Sequence, residues 1–236
     1  KAIGKHPVKA CIFSTTIANP MGCVLPDSVK QQIVELLEKN DIPLIEDDVY
    51  GDLYFTEKRG TPAQTYSKKG LVITCSSFSK TAAPAYRIGW IATHKFSQKC
   101  AQIKRALSCS SSHMNQVTLF EFVRSGDYDR YLIQLRNVLL TNKARMRNKL
   151  QQLLGDSVRI SDPKGGSVLW LEFDKRINSA GVFQLALQQN ISVSPGTLFS
   201  PSDRYQHCIR LSYGLPWNDR VEEGLKVFSD ICRTLK

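Results

Sequence analysis

The chain has 236 residues, of which 42% are hydrophobic and 22% charged, enough for one large or two modest soluble domains. No apolar run approaches the roughly 20 residues of a membrane-spanning helix, so no membrane role is expected. Seven scattered cysteines without a Cys-x-x-Cys pair, and four dispersed histidines, point to free thiols in a reducing cytoplasm and to no metal site.

In chain order, residues 9–15 are predicted to form a strand that ends in the turn Ala18-Asn19-Pro20-Met21-Gly22. A helix follows, capped by Asp27, with Val29, Ile33, Leu36 and Leu37 on one face and Asn40-Asp41 closing it. Residues 42–45 read as a short strand that runs into Glu46-Asp47-Asp48-Val49-Tyr50-Gly51-Asp52, where the acids are expected to serve chemistry and not packing. Residues 56–70 are polar and read as a surface loop. Strands are predicted over 71–75 and 88–93. A helical stretch over 96–123 is broken by the run from Ser108 to Ser112. Ser125-Gly126-Asp127 punctuates the chain before a long helix over 128–154. Beyond it, strands are expected at 158–160, 167–173, 191–193 and 208–213, with helices over 181–189 and 219–235. The pattern predicts an α/β fold in two parts. Residues 1–125 form a mostly parallel sheet with helices, and residues 126–236 a bridging helix and a small α+β domain.

Asn19, Asp47, Tyr50 and Lys80 all fall at strand carboxyl ends, where α/β proteins place their sites. The stretch Ser76-Ser77-Phe78-Ser79-Lys80 puts three hydroxyls ahead of a lysine, and Arg87 follows seven residues later. A lysine in such a setting can capture an aldehyde as a Schiff base. A serine hydroxyl and an arginine fork suit a phosphate dianion. An aldehyde bearing a phosphate is pyridoxal 5'-phosphate. Either Ser77 or Ser79 could face the phosphate. Arg210, between Ile209 and Leu211, is an unusual residue for an otherwise apolar strand. The net charge of +11 suits acidic partners, and equally a basic protein whose lysines are solvated.

The segments Asn19-Pro20, Asp47-Asp48-Val49-Tyr50, Ser77-Phe78-Ser79-Lys80, Arg87-Ile88-Gly89-Trp90, Pro195-Gly196 and Ile209-Arg210-Leu211-Ser212 resemble, in order, the fold-type I pyridoxal phosphate proteins of aminotransferase class I/II. That resemblance makes Lys80 the catalytic Schiff-base lysine and Asp47 the partner of the cofactor's ring nitrogen. It makes Asn19 and Tyr50 ligands of the phenolic oxygen, Ser77 and Arg87 phosphate ligands, and Arg210 the clamp for a substrate carboxylate. The runs Asn19-Pro20-Met21-Gly22-Cys23, Phe199-Ser200-Pro201-Ser202 and Ser125-Gly126-Asp127-Tyr128-Asp129-Arg130 further resemble the GntR-type regulators of the MocR group. In those, a winged helix-turn-helix precedes an aminotransferase-like effector domain. The resemblance implies a homodimeric, cytoplasmic effector portion that senses the cofactor, an amino acid or an amine. It touches DNA only through an N-terminal domain outside this chain. The alternative is an aminotransferase exchanging amino groups between amino acids and 2-oxo acids. The first residue is Lys and not Met, so the chain is expected to be part of something longer, lacking the family's glycine-rich phosphate cup and ring-stacking aromatic.

Overall fold

A computed structural model describes residues 2–234 in two compact units. The first takes in the described residues up to Ala18 together with Cys23–Leu135, and the second takes in Asn19–Gly22 and the described residues from Arg136 onward.

In the first unit a single helical turn, α1 (Ala2–Lys5), precedes the strands β1 (Cys11–Phe13), β2 (Leu44–Asp47), β3 (Val72–Ser77) and β4 (Gly89–Thr93). They form one sheet in the order β1-β2-β3-β4. β1, β2 and β3 are parallel, with Leu44 opposite both Cys11 and Val72, whereas β4 is antiparallel and sets Gly89 opposite Ser77. Parallel neighbours need a crossover connection. The helix α2 (Asp27–Lys39) supplies the first one, and its Val34 and Leu37 share a buried cluster with Ile42, Leu44 and Val72. Asp27 is not the cap of this helix. Pro26 holds that position, and Asp27 is the first helical residue, its carboxylate accepting from Thr61 Oγ1 at 2.9 Å and lying 3.6 Å from Lys30 Nζ. A carboxylate there still meets the positive end of the helix dipole.

The second crossover contains a 3-10 turn, Ala63–Tyr66, whose Ala63 is fully buried. The predicted surface loop 56–70 is therefore tied into the core. Polar composition hid this, because the loop is held by polar anchors described below. The helices α3 (Ser97–Ser108) and α4 (His113–Arg124) are separated at the serine run, as the sequence suggested. They leave Leu107, Met114 and Phe120 exposed, and Ile12 and Ile91 on the outer strands of the sheet are exposed too. The helix α5 (Asp127–Leu154) starts in this unit and ends in the second.

The second unit holds an antiparallel sheet in the order β5-β6-β8-β7, made of β5 (Val158–Ile160), β6 (Val168–Phe173), β7 (Ser194–Pro195) and β8 (Cys208–Ser212). Leu169, Leu171 and Ile209 of this sheet are buried, as are Val182 and Ala186 of α6 (Ser179–Gln188) and Phe228 of α7 (Asp219–Thr234). The strand expected at 191–193 lies instead at Ser194–Pro195. Asn190 turns left-handed at φ 58° and Ile191 N still donates to Ala186 O at 2.9 Å, so the chain reaches β8 only at Ser194, opposite Arg210. Val193 is buried without pairing, which explains why its apolar character read as strand. Residue 235 of the expected last helix lies outside the described residues.

Candidate functional site

Alternation along β2 decides what its acids do. Glu46 and Asp48 turn to the inside, 0% and 2% exposed, while Asp47 between them is exposed. Glu46 accepts from Thr15 Oγ1, from Ala63 N at 2.8 Å and from Thr74 Oγ1 at 3.0 Å. Asp48 Oδ2 pairs with Arg59 Nη2, and Arg59 Nε donates to Asp52 Oδ1 at 2.7 Å. Burial pushes the Asp48 carboxyl up to about 6 against the pull of Arg59, with Glu46 and Asp52 adding repulsion. The expectation that these acids serve no packing is thus corrected: two of them fasten the 56–70 loop to the sheet, at Ala63 and Arg59. Asp47 alone projects outward, its Oδ1 accepting from Val49 N at 3.1 Å, and half-buried Tyr50 follows in the next turn.

Asp47 stands opposite Cys75, so Ser77 lies two residues further toward the same strand ends. Burial, the Asp47 carboxylate and Cys100 all push the Cys75 thiol up, which keeps it protonated and unreactive beside the site. After Ser77 the chain closes a tight turn: Ala82 N donates to Phe78 O at 2.8 Å and Phe78 N to Ile88 O at 3.0 Å. Lys80 sits exposed on that turn, while Thr81 beside it is 3% exposed. Ser77 Oγ donates to Ser79 Oγ at 2.9 Å and accepts from Ser79 N at 3.1 Å. Arg87 Nη1 donates to Ser79 Oγ at 3.3 Å. Both candidate serines and Arg87 therefore form one cluster next to Lys80, with Ser79 as the hydroxyl that Arg87 touches. Arg87 itself holds a left-handed backbone, φ 53° and ψ 36°, between the 3-10 turn Pro84–Tyr86 and β4. A non-glycine residue persists there only when its surroundings impose it.

Asn19 and Arg210 belong to the second unit. Arg210 is half-buried on β8, its Nη1 donating to Asn19 Oδ1 at 2.9 Å and its Nη2 to Ser194 Oγ at 3.1 Å. Its guanidinium lies 4.9 Å from the centre of the Phe199 ring. Phe199 and Tyr205 both meet Trp170 edge-on, at 5.5 and 5.6 Å. Neutral oxygens and a ring face thus surround a fixed positive charge, an arrangement that leaves the fork suited to an incoming anion. Sequence reasoning named Arg210 and Asn19 but missed Ser194 and Phe199. Ser194 was signalled only by its place before Pro195-Gly196, and Phe199 by opening the run Phe199-Ser200-Pro201-Ser202. Among the described residues, no cluster of His, Cys, Asp and Glu could hold a metal ion, and no helix is long and apolar enough to cross a membrane.

Residues 1–227 match the family described as aminotransferase class I and II. Among curated relatives, the chain is 34% identical over 225 residues to the uncharacterized HTH-type transcriptional regulator YdcR of Escherichia coli, covering 95% of this chain and 48% of that protein. It is 35% identical over 220 residues to the HTH-type transcriptional regulator NorG of Staphylococcus aureus, covering 92% of this chain and 49% of NorG. The chain thus spans about half the length of these relatives. Among solved structures it resembles LysN, an α-aminoadipate aminotransferase from Thermus thermophilus crystallised with N-(5'-phosphopyridoxyl)-L-leucine. That likeness has a TM-score of 0.88 at 26% identity, over 95% of this chain and 58% of LysN.

Proposed function

The chain belongs to the aminotransferase class I and II family, and from that premise we propose that it is the pyridoxal phosphate-binding effector portion of a MocR-type transcriptional regulator. The observation that carries this is the cluster of Ser77, Ser79 and Arg87 beside exposed Lys80, at the strand ends that also present Asp47. The donor set fits the cofactor: two hydroxyls and a guanidinium for a phosphate, an amine for an aldehyde, and an exposed carboxylate for a ring nitrogen. Bound there, pyridoxal phosphate would supply an electron sink for a bond to the ligand's α-carbon.

The residues divide the work. Ser77 or Ser79, with Arg87, holds the phosphate dianion. Asp47 keeps a proton on the ring nitrogen by stabilising its cation. Tyr50 and Asn19 donate to the phenolic oxygen. Lys80 would hold the aldehyde end and move protons at its Nζ. Arg210 binds the carboxylate of an amino-acid ligand bidentately. Residues 1–125 form the cofactor-binding part and 126–236 the bridging helix and small domain. The intact protein is a cytoplasmic homodimer whose DNA contacts come from outside residues 1–236. The likeness to YdcR and NorG, each over more than nine-tenths of the chain, supports a regulator. The likeness to LysN favours a second reading, an aminotransferase that completes turnover.

The test is spectroscopic. Pyridoxal phosphate added to the intact protein should give a visible absorbance band that borohydride makes permanent at Lys80, and Lys80→Ala should abolish it. An unchanged spectrum sinks the proposal. α-Amino acids should perturb the band, and Arg210→Lys should weaken that response about tenfold while sparing the band, since a point charge replaces a fork. Release of a 2-oxo acid on repeated turnover would select the second reading.

A further inference from the structure

We propose that Arg59 is the positioning residue for Tyr50, bridging the two ends of the turn that carries it. This role rests on the reading of Tyr50 as a donor to the cofactor's phenolic oxygen, and adds a residue which that reading does not use.

Tyr50 lies in the turn by which the chain leaves β2, between Asp48 and Asp52. The near end of this turn is fixed to β3: Asp48 N donates to Cys75 O at 2.9 Å, and Asp48 O accepts from Ser76 Oγ at 3.1 Å. The turn itself is closed by Gly51 N donating to Asp48 O at 3.1 Å and Leu53 N to Tyr50 O at 2.9 Å. Across it reaches the Arg59 guanidinium, with all three nitrogens engaged. Nη2 pairs with Asp48 Oδ2, Nε donates to Asp52 Oδ1 at 2.7 Å, and Nη1 donates to Gly60 O at 3.3 Å. A planar fork has fixed donor directions, so it sets the spacing of the two carboxylates that flank Tyr50. The Asp48 side chain is 1% exposed and that of Arg59 28%, which shields their pair from salt. Gly51 rests directly on the pair: a methyl group there would overlap both Asp48 Oδ1 and Arg59 Nη2. The backbone one residue beyond Tyr50 therefore lies against the clamp itself. A tyrosine has only two side-chain torsions, so the placing of this backbone decides where its hydroxyl reaches. Small losses of such alignment cost a site steeply.

The experiment uses the intact protein with pyridoxal phosphate as probe and reads the pH midpoint of the visible band. Tyr50→Phe removes a donor to the phenolic oxygen and should move that midpoint by about half a unit or more, the worth of one net hydrogen bond. Arg59→Lys keeps the charge but replaces the fork with a point charge. Asp52→Asn weakens one arm at constant shape and leaves the buried Asp48 pair intact, so it folds even if Arg59→Lys does not. Each should move the midpoint in the same direction as Tyr50→Phe. In the Tyr50→Phe background neither should add anything, whereas a charge acting on the cofactor directly would still be felt there. Thr61→Val is the control: it cuts the bond from the same loop to Asp27 of α2 and should leave the midpoint at its wild-type value. An unmoved midpoint in Asp52→Asn, a shift that survives in the Tyr50→Phe background, or an equal shift in Thr61→Val would each overturn the proposal. If Tyr50→Phe itself moves nothing, the reading of Tyr50 fails separately, and if the wild type gives no band, the cofactor reading does. Amide hydrogen exchange over residues 49–53 then decides: faster exchange confined to that turn in Asp52→Asn supports the clamp, and unchanged exchange removes it.

Discussion

Arg87 combines a demanding backbone with a demanding side chain. Its left-handed φ of 53° costs an L-residue about 1–2 kcal/mol, while its guanidinium reaches Ser79. Arg87→Gly should therefore raise the stability of the cofactor-free protein by about 0.5–1 kcal/mol, read as a higher melting temperature, after allowing for glycine's freer unfolded chain. The same variant should bind pyridoxal phosphate at least about tenfold more weakly, because a charge-assisted contact to the phosphate is gone. Arg87→Ala keeps the strained backbone and loses the contact, so it should show the weaker binding without the gain. A drop in melting temperature for Arg87→Gly would mean that the guanidinium, and not the backbone, dominates the folding energetics of this loop.

At the scale of an element, β2 shows what sequence could and could not tell. Its existence was legible from a short apolar run after a helix, and the family resemblance singled out Asp47 among the acids at its end. From the pattern of residues alone, which carboxylate faces which way was not legible, because alternation has meaning only once the register with β1 and β3 is fixed. Arg59 gave no signal at all; a lone arginine in a polar loop looks solvated until the fold sets it between Asp48 and Asp52. The strand expected at 191–193 failed for a related reason, since apolar residues can be buried without joining a ladder. The β2 network also makes a pH prediction. A carboxyl raised from 3.8 to about 6 binds its proton more tightly in the folded state than in the unfolded chain. Its contribution to stability is then fully present below about pH 4 and is lost as pH rises through 6. The difference in urea midpoint between wild type and Asp48→Asn should therefore slope downward for the wild type between pH 4 and 6 and level off above. A flat difference would place Asp48 in the ionised state throughout, held so by Arg59.

For the molecule as a whole, a net charge of +11 sits on a chain without a helix-turn-helix among its described elements. Residues 1–236 alone should bind nucleic acid without sequence preference, and that binding should fall steeply as salt rises from about 50 to 200 mM. Gel shifts with duplexes of unrelated sequence should match; a defined footprint from these residues alone would contradict the proposal that DNA contacts come from another segment. The division of the polypeptide has a separate consequence for taking it apart. Asn19–Gly22 count with the second unit although the residues on both sides, Ala18 and Cys23, count with the first and bond to each other, Ala18 N to Cys23 O at 2.9 Å. The second unit is thus not one continuous length of chain. A cut after Leu135 would leave Arg210 without the Asn19 amide and Pro163 without the Gly22 that packs on it so closely that no Cβ would fit between them. A gene fragment beginning at Arg136 therefore encodes most of that unit's mass, with Arg210, Ser194 and Phe199, but not the Asn19 amide that completes the guanidinium's hydrogen bonds, and a four-residue insert would have to be spliced back to recover it.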